Sequence, residues 1–281
     1  MKLLDVHLGK PLTRGALTIF PTWNGRAVAS RGYDVHSDHL AVDERAGSAV
    51  VAELVVTNSG PRPVLLLEGE LLEGGQQHRV AARSVLVGAG AAQVLDVRCV
   101  EQGRWSGGAA HGRSGRRAPL SVRVAEEQHG TWERVHRLEQ RYGGSATSSL
   151  LDATRSAEGD AAQLVAGIRP LPFQSGVLLC LGGQPVQLEA YDSPRTLATV
   201  WESLLQAAAL DALGMPPVPT PGRRARRFLS RVTVVPTDRY DAGLGTGVQG
   251  RSAYARVDAL IWRDRPVHAV AVNTRHQLVE A

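Results

Sequence analysis

Short apolar runs separated by turn-forming residues dominate the first hundred positions of the chain. AVVAELVVTN at 49–58 and VLLLE at 64–68 flank the segment NSGPRP, whose Asn, Gly and Pro favour a turn. SVLVGAGAAQVLDVRCV at 84–100 predicts two more strands around a Gly-Ala-Gly turn, and PLSVRV at 119–124 predicts the last one. Several short strands with turn signals indicate an antiparallel β-sandwich over residues 1–124.

After residue 125 the spacing of apolar positions changes to that of helices. A helix with one apolar face is predicted over 126–142, and a second helical stretch over 148–168 with a break near Gly159. The segment 175–192 then predicts a β-hairpin that turns at two glycines.

The strongest helix signal covers residues 194–213. Ser193 is a suitable N-cap, and Pro194 suits the first helical position, where its missing N–H costs nothing. An apolar stripe runs along this segment, so a long amphipathic helix is expected. Asp211 lies within the stripe, where a carboxylate has to be paired or protonated, and a structural arginine partner is the favoured explanation.

The predicted fold class is therefore α+β, with two parts. A β-sandwich-like domain covers 1–124, and an α+β domain packed against it covers 125–281, with one continuous domain as the alternative. The C-terminal part contains a glycine-rich stretch at 241–250 and three further predicted strands, at 231–235, 253–262 and 267–273.

The composition narrows the class of protein. With 281 residues and 43% hydrophobic content, the chain is able to bury a substantial core. The net charge of +5 rests almost wholly on arginine, because Lys2 and Lys10 are the only lysines, and it is a weak signal for nucleic acid. Cys99 and Cys180 are too few for a disulfide framework or a metal site, so a cytoplasmic protein with reduced thiols is expected. MKLLDVHLG lacks the apolar core of a signal peptide, and no apolar run is as long as a membrane span.

Residues 65–80, LLLEGELLEGGQQHRV, join an apolar run to the most polar cluster of the chain. On one strand Glu68 and Glu70 would point the same way, and two close carboxylates need a cation or hydrogen-bond donors between them. Such pairs hold a divalent metal or divide acid and base roles. A solvated hairpin end is the simpler explanation. The cluster also supplies candidate ligand-binding residues: Gly74, Gly75, Gln76, Gln77, His78 and Arg79.

The segment CVEQGRW at 99–105 adds three candidates where another predicted strand ends. Glu101 is a third candidate catalytic carboxylate. Arg104 is able to clamp a phosphate or carboxylate, and Trp105 to stack on a base or an arginine. An Arg–Glu pair beside a core tryptophan explains the same residues equally well.

Two arginine-rich segments lie outside this cluster. Residues 106–118 are predicted to form a mobile surface loop, and residues 215–227 a Pro-rich solvated loop with anion contacts. The run GRRARR has no interleaved aromatic residues, which disfavours nucleic acid as a partner. GTGVQG at 245–250 matches G-x-G-x-x-G, but no helical pattern follows it, so it is not a dinucleotide fingerprint.

Several segments in combination resemble one protein family: EGELLEGGQQHRV, the ending CVEQGRW, LLCLGGQPVQLEAYDSPRTLATVWESLLQAAALDAL and the Gln128-x-x-x-Trp132 start of the middle helix. They are similar to the ARG- and rhodanese-phosphatase-superfamily-associated protein domain family, with His78 where the family pattern has Asn. The family's association with ADP-ribosylglycohydrolases and phosphatases implies a role around NAD-derived ADP-ribose compounds. It brings no catalytic residues with it.

Two functions from different classes remain open. In the first, the protein binds or hydrolyses an ADP-ribose-like, NAD-derived nucleotide. Glu68, Glu70 and Glu101 would then position a water or a divalent cation. Arg79 and Arg104 would hold phosphate oxygens, and Trp105 would wall the pocket.

In the second function, the polar cluster is a structural network in a non-enzymatic scaffold or regulatory module that binds a partner protein. An open pocket lined by Glu and Arg favours the nucleotide hypothesis, whereas mutual hydrogen bonding in a filled interior favours the scaffold.

Overall fold

The computed structural model describes residues 5–25, 27–47, 49–232 and 235–280. The chain divides into two compact units: unit 1 is Met1–Arg31 with Ala161–Ala281, and unit 2 is Gly32–Asp160. Unit 2 is thus an insertion in the sequence of unit 1. The boundary predicted at 124/125 falls inside unit 2, because the helices that follow it pack their apolar side chains with strands of that unit.

The described strands are numbered in chain order: β1 (Val6–Leu8), β2 (Leu12–Arg14), β3 (Leu17–Asn24), β4 (Leu40–Asp43), β5 (Glu53–Asn58), β6 (Val64–Leu66), β7 (Glu70–Gly74), β8 (Arg79–Ala81), β9 (Val85–Val87), β10 (Ala92–Cys99), β11 (Ala110–Arg117), β12 (Gly176–Leu181), β13 (Gln184–Tyr191), β14 (Pro236–Ala242), β15 (Gly245–Arg251), β16 (Ala255–Trp262) and β17 (Arg265–Asn273). The described helices are α1 (Leu120–Arg123), α2 (Gln128–Tyr142), α3 (Leu150–Arg155), α4 (Glu158–Val165), α5 (Pro194–Ala212), α6 (Gly222–Leu229) and α7 (Gln277–Glu280).

Six strands of unit 2 form a closed barrel in the order β10-β5-β4-β11-β7-β8. All neighbouring pairs are antiparallel, and the ring closes because β10 pairs with both β5 and β8. The α+β class is confirmed, but the β part is a closed barrel where a two-sheet sandwich was expected. Alternate side chains fill its interior, including Val42, Leu72, Ala81 and Val97, and the small sheet β6–β9 packs with them.

Helices α1, α2 and α3 cover the outer face of part of this barrel. Leu71 and Val80, which alternate with the inward residues of β7 and β8, join one buried cluster with Val135 and Leu138 of α2. The apolar face predicted for the helix over 126–142 therefore packs against the outer surface of the barrel.

Unit 1 is built on a nine-stranded antiparallel sheet of described strands. The order is β1-β3-β12-β13-β17-β16-β15-β14, and β2 pairs with β3. Phe20, Leu178 and Leu188 pack against Ala225 and Phe228 of α6 in one buried cluster. Helix α5 contacts β3, β12 and β13.

Helix α5 coincides with the helix predicted over 194–213, and the Ser193 hydroxyl caps it. Its first half leaves one face exposed, whereas every residue from Ala207 to Ala212 is buried, so the expected amphipathic pattern does not extend over the whole helix. Asp211 lies in the buried half. Among the described helices, none is both long and apolar enough to cross a membrane.

Several segments differ from the local predictions. Residues 106–118, predicted as a mobile loop, contain β11 of the barrel, and PLSVRV at 119–124 contains helix α1 where a strand was expected. Helix α6 overlaps the predicted Pro-rich loop, and the glycine-rich stretch at 241–250 belongs to the hairpin β14–β15. Residues 106–118, 215–227 and 241–250 carry little apolar periodicity, whereas Leu120, Val122 and Val124 alternate as in a strand but fall in and beside one helical turn. The strand predicted over 231–235 includes positions 233 and 234, which lie outside the described residues.

Candidate functional site

One end of the barrel in unit 2 is lined by polar side chains where the rest of the interior is apolar. Arg79 and Cys99 are directly opposite each other on β8 and β10. They share the faces of Ala81 and Val97, which lie in the barrel core, so both side chains point inward. Both are 0% exposed. Burial raises the pKa of the Cys99 thiol, which disfavours a nucleophilic role.

Glu44 and His111 complete this barrel-end cluster, and sequence reasoning missed both. His111 on β11 lies opposite Val42, and Glu44 follows Val42 by two positions, so both share the inward face. His111 Nε2 is 3.2 Å from Glu44 Oε1, which also accepts the Gln76 backbone N–H at 3.0 Å. Burial lowers the pKa of His111, despite the nearby carboxylate. The alternation Leu40, Val42, Glu44 was the available signal for Glu44.

Arg79 is the unusual member of the cluster. Its Nη2 is 3.9 Å from Glu44 Oε1, close enough for attraction but too long for a hydrogen bond. Within the described part of the chain, Nε, Nη1 and Nη2 are all buried without a hydrogen-bond acceptor. Burial lowers the pKa of this guanidinium, with nearby Cys99 and Glu44 opposing the effect. Buried polar groups are normally satisfied, yet Glu44 Oε2 and His111 Nδ1 also lack a hydrogen-bond partner among the described residues, so this cluster holds both unpaired donors and an unpaired carboxylate oxygen.

Gly75 shapes the backbone beside His111. Its φ is +56°, a conformation that favours glycine, and a Cβ at this position would overlap the His111 ring. The neighbouring Gly74 also has a positive φ, and its backbone N–H donates to His78 Nδ1 at 2.9 Å. The glycines predicted to allow close approach thus let the chain turn directly over the barrel end.

Glu101 is a hub of hydrogen bonds at the end of β10. Its carboxylate accepts from the His78 backbone N–H at 3.0 Å and from the Thr147 hydroxyl at 2.8 Å. It also forms an ion pair with Arg104 at 2.6 Å. Burial alone would raise the pKa of Glu101, but the bonds from Arg104, His78 and Thr147 outweigh it, so the pKa lies below its usual value. Glu101 therefore stays an ionised, fully engaged carboxylate.

Arg104 connects Glu101 to neighbouring backbone carbonyl groups. Besides Glu101, its guanidinium donates to the carbonyls of Gly75 at 2.8 Å, Ser106 at 2.7 Å and Gly74 at 3.1 Å. The ion pair with Glu101 raises its pKa. These bonds fix the 74–75 turn to the end of β10 and leave Arg104 little capacity to hold a phosphate.

The other predicted ligand-binding residues near this turn are Gln76, Gln77, His78 and Trp105, and they range from buried to exposed. The Gln76 amide donates to the Gly107 carbonyl at 2.9 Å, and the Gln77 amide to the Glu101 carbonyl at 3.0 Å. Burial lowers the pKa of His78, whose Nε2 is 3.6 Å from Glu101. Trp105 is 51% exposed, and its ring centre is 5.8 Å from the Arg79 guanidinium carbon. Trp105 is thus an exposed neighbour of the fully buried Arg79.

Glu68 and Glu70 do not form the expected pair on one strand. Gly69, with φ of +81°, separates them, so that Glu68 lies in a turn and Glu70 begins β7. Arg123 holds Glu68 through two bonds, of 2.5 and 3.2 Å. Arg113 holds Glu70 through two bonds, of 2.7 and 3.1 Å.

Glu70 and Gly74 are at opposite ends of β7, so Glu70 lies at the other end of this strand from the 74–79 segment. No group of three His, Cys, Asp or Glu side chains among the described residues is arranged to hold a metal ion.

The architecture defines a class: an antiparallel sheet protein with an inserted closed barrel whose polar end carries the GGQQHR and EQGR segments. A family model matches residues 5–272, that of the ARG and Rhodanese-Phosphatase-superfamily-associated Protein domain. The match covers nearly the whole chain, so the protein belongs to this family, as the sequence resemblance indicated. No curated protein and no solved structure matches the chain.

Proposed function

We propose that the barrel end of unit 2 binds the anionic part of a small NAD-derived nucleotide of the ADP-ribose type, without hydrolysing it. The observation that supports binding is the buried Arg79 guanidinium, whose donors have no acceptor in the described chain. A phosphate presents oxygens that match the planar fork of arginine. The nucleotide class comes from the family resemblance.

The ion pairs support binding over hydrolysis. Glu68, Glu70 and Glu101 are each held by an arginine through short hydrogen bonds. A carboxylate stabilised in this way is a poor general base and has few free lone pairs for a cation.

Isothermal titration calorimetry with ADP-ribose, NAD and AMP, each with and without magnesium, tests the proposal. We expect heat with at least one of them, and loss of that heat in Arg79→Met. The matched control is Arg83→Met, which removes an arginine just after β8 that forms a partly exposed ion pair with Asp96 of β10. Chromatography of the nucleotides after incubation should show no product. Silence with all three ligands, or equal binding by both variants, would contradict the proposal.

A non-enzymatic scaffold that binds a partner protein is the second candidate. The mutual hydrogen bonding of Glu101, Arg104 and Thr147 and the complete burial of Arg79 favour it, because the scaffold hypothesis expects a bonded, filled interior. The scaffold hypothesis predicts that Arg79→Met does not change the heat measured on titration with any nucleotide. It also predicts that no nucleotide is hydrolysed under any condition. The calorimetric comparison therefore separates the two candidates.

A further inference from the structure

Helix α6 and Arg231, two residues after its end, carry arginines along one face. Arg224, Arg227, Phe228 and Arg231 recur at the spacing i, i+3, i+4, i+7, so they lie on the same side. They line a cavity of about 290 Å³ in unit 1, together with Arg275 and other residues. Among the described residues the lining includes no Asp or Glu. The cavity thus has four guanidinium groups and no carboxylate in its wall.

Three of the four arginines are anchored mainly by neutral groups, so their charges are poorly compensated. Arg224 donates to the Gly183 carbonyl at 2.7 Å, and Arg275 to the Ala253 carbonyl at 3.1 Å. The guanidinium carbon of Arg231 lies 4.0 Å from the centre of the Tyr254 ring. Arg275 is 3.9 Å from the Glu280 carboxylate, but both side chains are more than half exposed, and such pairs are weak. Anchoring by carbonyls and an aromatic ring orients the guanidinium groups without neutralising them.

We propose that this cavity is a binding site for a small soluble molecule that carries two or more linked phosphate groups. Several fixed guanidinium forks match several phosphates better than one, because each fork engages one anionic group bidentately. The volume is near the lower end of the range for small-molecule sites, about 300–1,000 Å³. The site consists wholly of unit 1 residues and goes beyond the function proposed for the barrel end.

Calorimetry with inorganic tripolyphosphate at physiological salt tests the site. We expect tripolyphosphate to bind at least tenfold more tightly than orthophosphate. The double variant Arg224→Gln with Arg227→Gln should weaken tripolyphosphate binding at least tenfold. Arg223 and Arg226 lie on the same helix but outside the cavity lining, so Arg223→Gln with Arg226→Gln is the matched control. This control removes the same charge and should change affinity less than twofold, with both variants retaining the parent's thermal unfolding midpoint.

Equal losses in the two double variants would overturn the proposal, because binding would then depend on net charge alone. Absence of tripolyphosphate binding at millimolar concentration would also overturn it. Two further binding experiments use, separately, vesicles that contain a bisphosphorylated inositol lipid and a short RNA in solution. Binding of either that tripolyphosphate does not displace would assign the arginines to a macromolecular surface, against the proposal. Titrating tripolyphosphate into Arg79→Met and ADP-ribose into the Arg224→Gln, Arg227→Gln variant isolates each site, so failure here and failure at the barrel end are distinguishable.

Discussion

Arg79 is expected to destabilise the ligand-free protein. A guanidinium buried without acceptors bears a desolvation cost that its weak attraction to Glu44 at 3.9 Å does not recover. Replacing it with the apolar, similarly long Met should raise the free energy of unfolding by about 1–3 kcal/mol, the cost of burying a polar group without a hydrogen bond, measured by urea denaturation. Glu44 keeps its contacts with Gln76 and His111 in this variant. A decrease in stability would mean that the attraction between Arg79 and Glu44 outweighs the desolvation cost, and that Arg79 is structural.

Gly75 provides a second test at the residue scale. Gly75→Ala combines a left-handed backbone, which costs an L-residue about 1–2 kcal/mol, with displacement of the His111 ring. Gly90 has a similar φ of +65° and open space around it, so Gly90→Ala measures the backbone cost alone. We expect thermal unfolding to show a larger loss for Gly75→Ala. Equal losses would show that the His111 ring moves aside freely.

The sequence predicted which residues of the candidate site lie close together, but not how individual side chains are hydrogen-bonded. The clustering of residues 74–79 with Glu101 and Arg104 follows from adjacent strand ends, and the structure brings them together. The roles of the arginines were not predictable, because hydrogen bonding depends on three-dimensional geometry. Arg104 pairs with Glu101, whereas the Arg79 donors have no hydrogen-bond acceptor among the described residues. His111 was hidden in a segment without apolar alternation.

At the scale of elements, Glu101 ties the end of β10 to the 74–78 turn and to the segment after α2. Its pKa in the folded protein is below the unfolded value of about 4.3. It therefore contributes stability that is fully present above that value and is lost as the pH falls through the folded pKa. Glu101→Gln should lower the free energy of unfolding at pH 7 by about 2 kcal/mol.

The pH dependence supplies the control for this prediction. Urea denaturation of the two proteins from pH 7 to pH 3 should show curves that converge as the pH falls, because protonation removes the contribution of Glu101 from the parent as well. A constant difference across this range would show that the charge of Glu101 is irrelevant. Thr147→Val, which removes only the hydroxyl donor at 2.8 Å, should give a smaller effect.

Elements with apolar periodicity were predictable, and elements without it were not. The hairpin β12–β13 and helix α5 were predicted nearly to the residue, since apolar runs, glycine turns and an N-cap agree there. Strand β11, AHGRSGRR, pairs in the barrel although its side chains are mostly polar, because Arg113 bonds the Glu70 carboxylate and Arg117 donates to the Glu68 carbonyl. Barrel closure is also a long-range property that local patterns do not encode.

At the scale of the whole molecule, each unit has its own apolar core. Unit 2 contains the barrel interior and the helix-covered outer cluster, whereas the sheet of unit 1 packs with α6. A fragment of residues 32–160 is therefore expected to fold alone. Circular dichroism should show a cooperative thermal transition, and the Arg79→Met effect on stability should be reproduced in the fragment. A fragment without a cooperative transition would mean that unit 2 depends on unit 1.

The neighbouring strands β3 and β12 come from either side of the inserted unit, with Thr22 opposite Gly176. During synthesis on a ribosome, β3 therefore emerges before β12 and stays without this neighbour until β12 has been synthesised. At about 5–20 residues per second, that wait is on the order of 10 s. The insert acts as a spacer whose early collapse brings the two segments closer and reduces the entropy lost when they join. The nascent chain thus carries the apolar segment LTIF of β3 without its β12 partner during this interval, and that segment is where a holding chaperone would be needed.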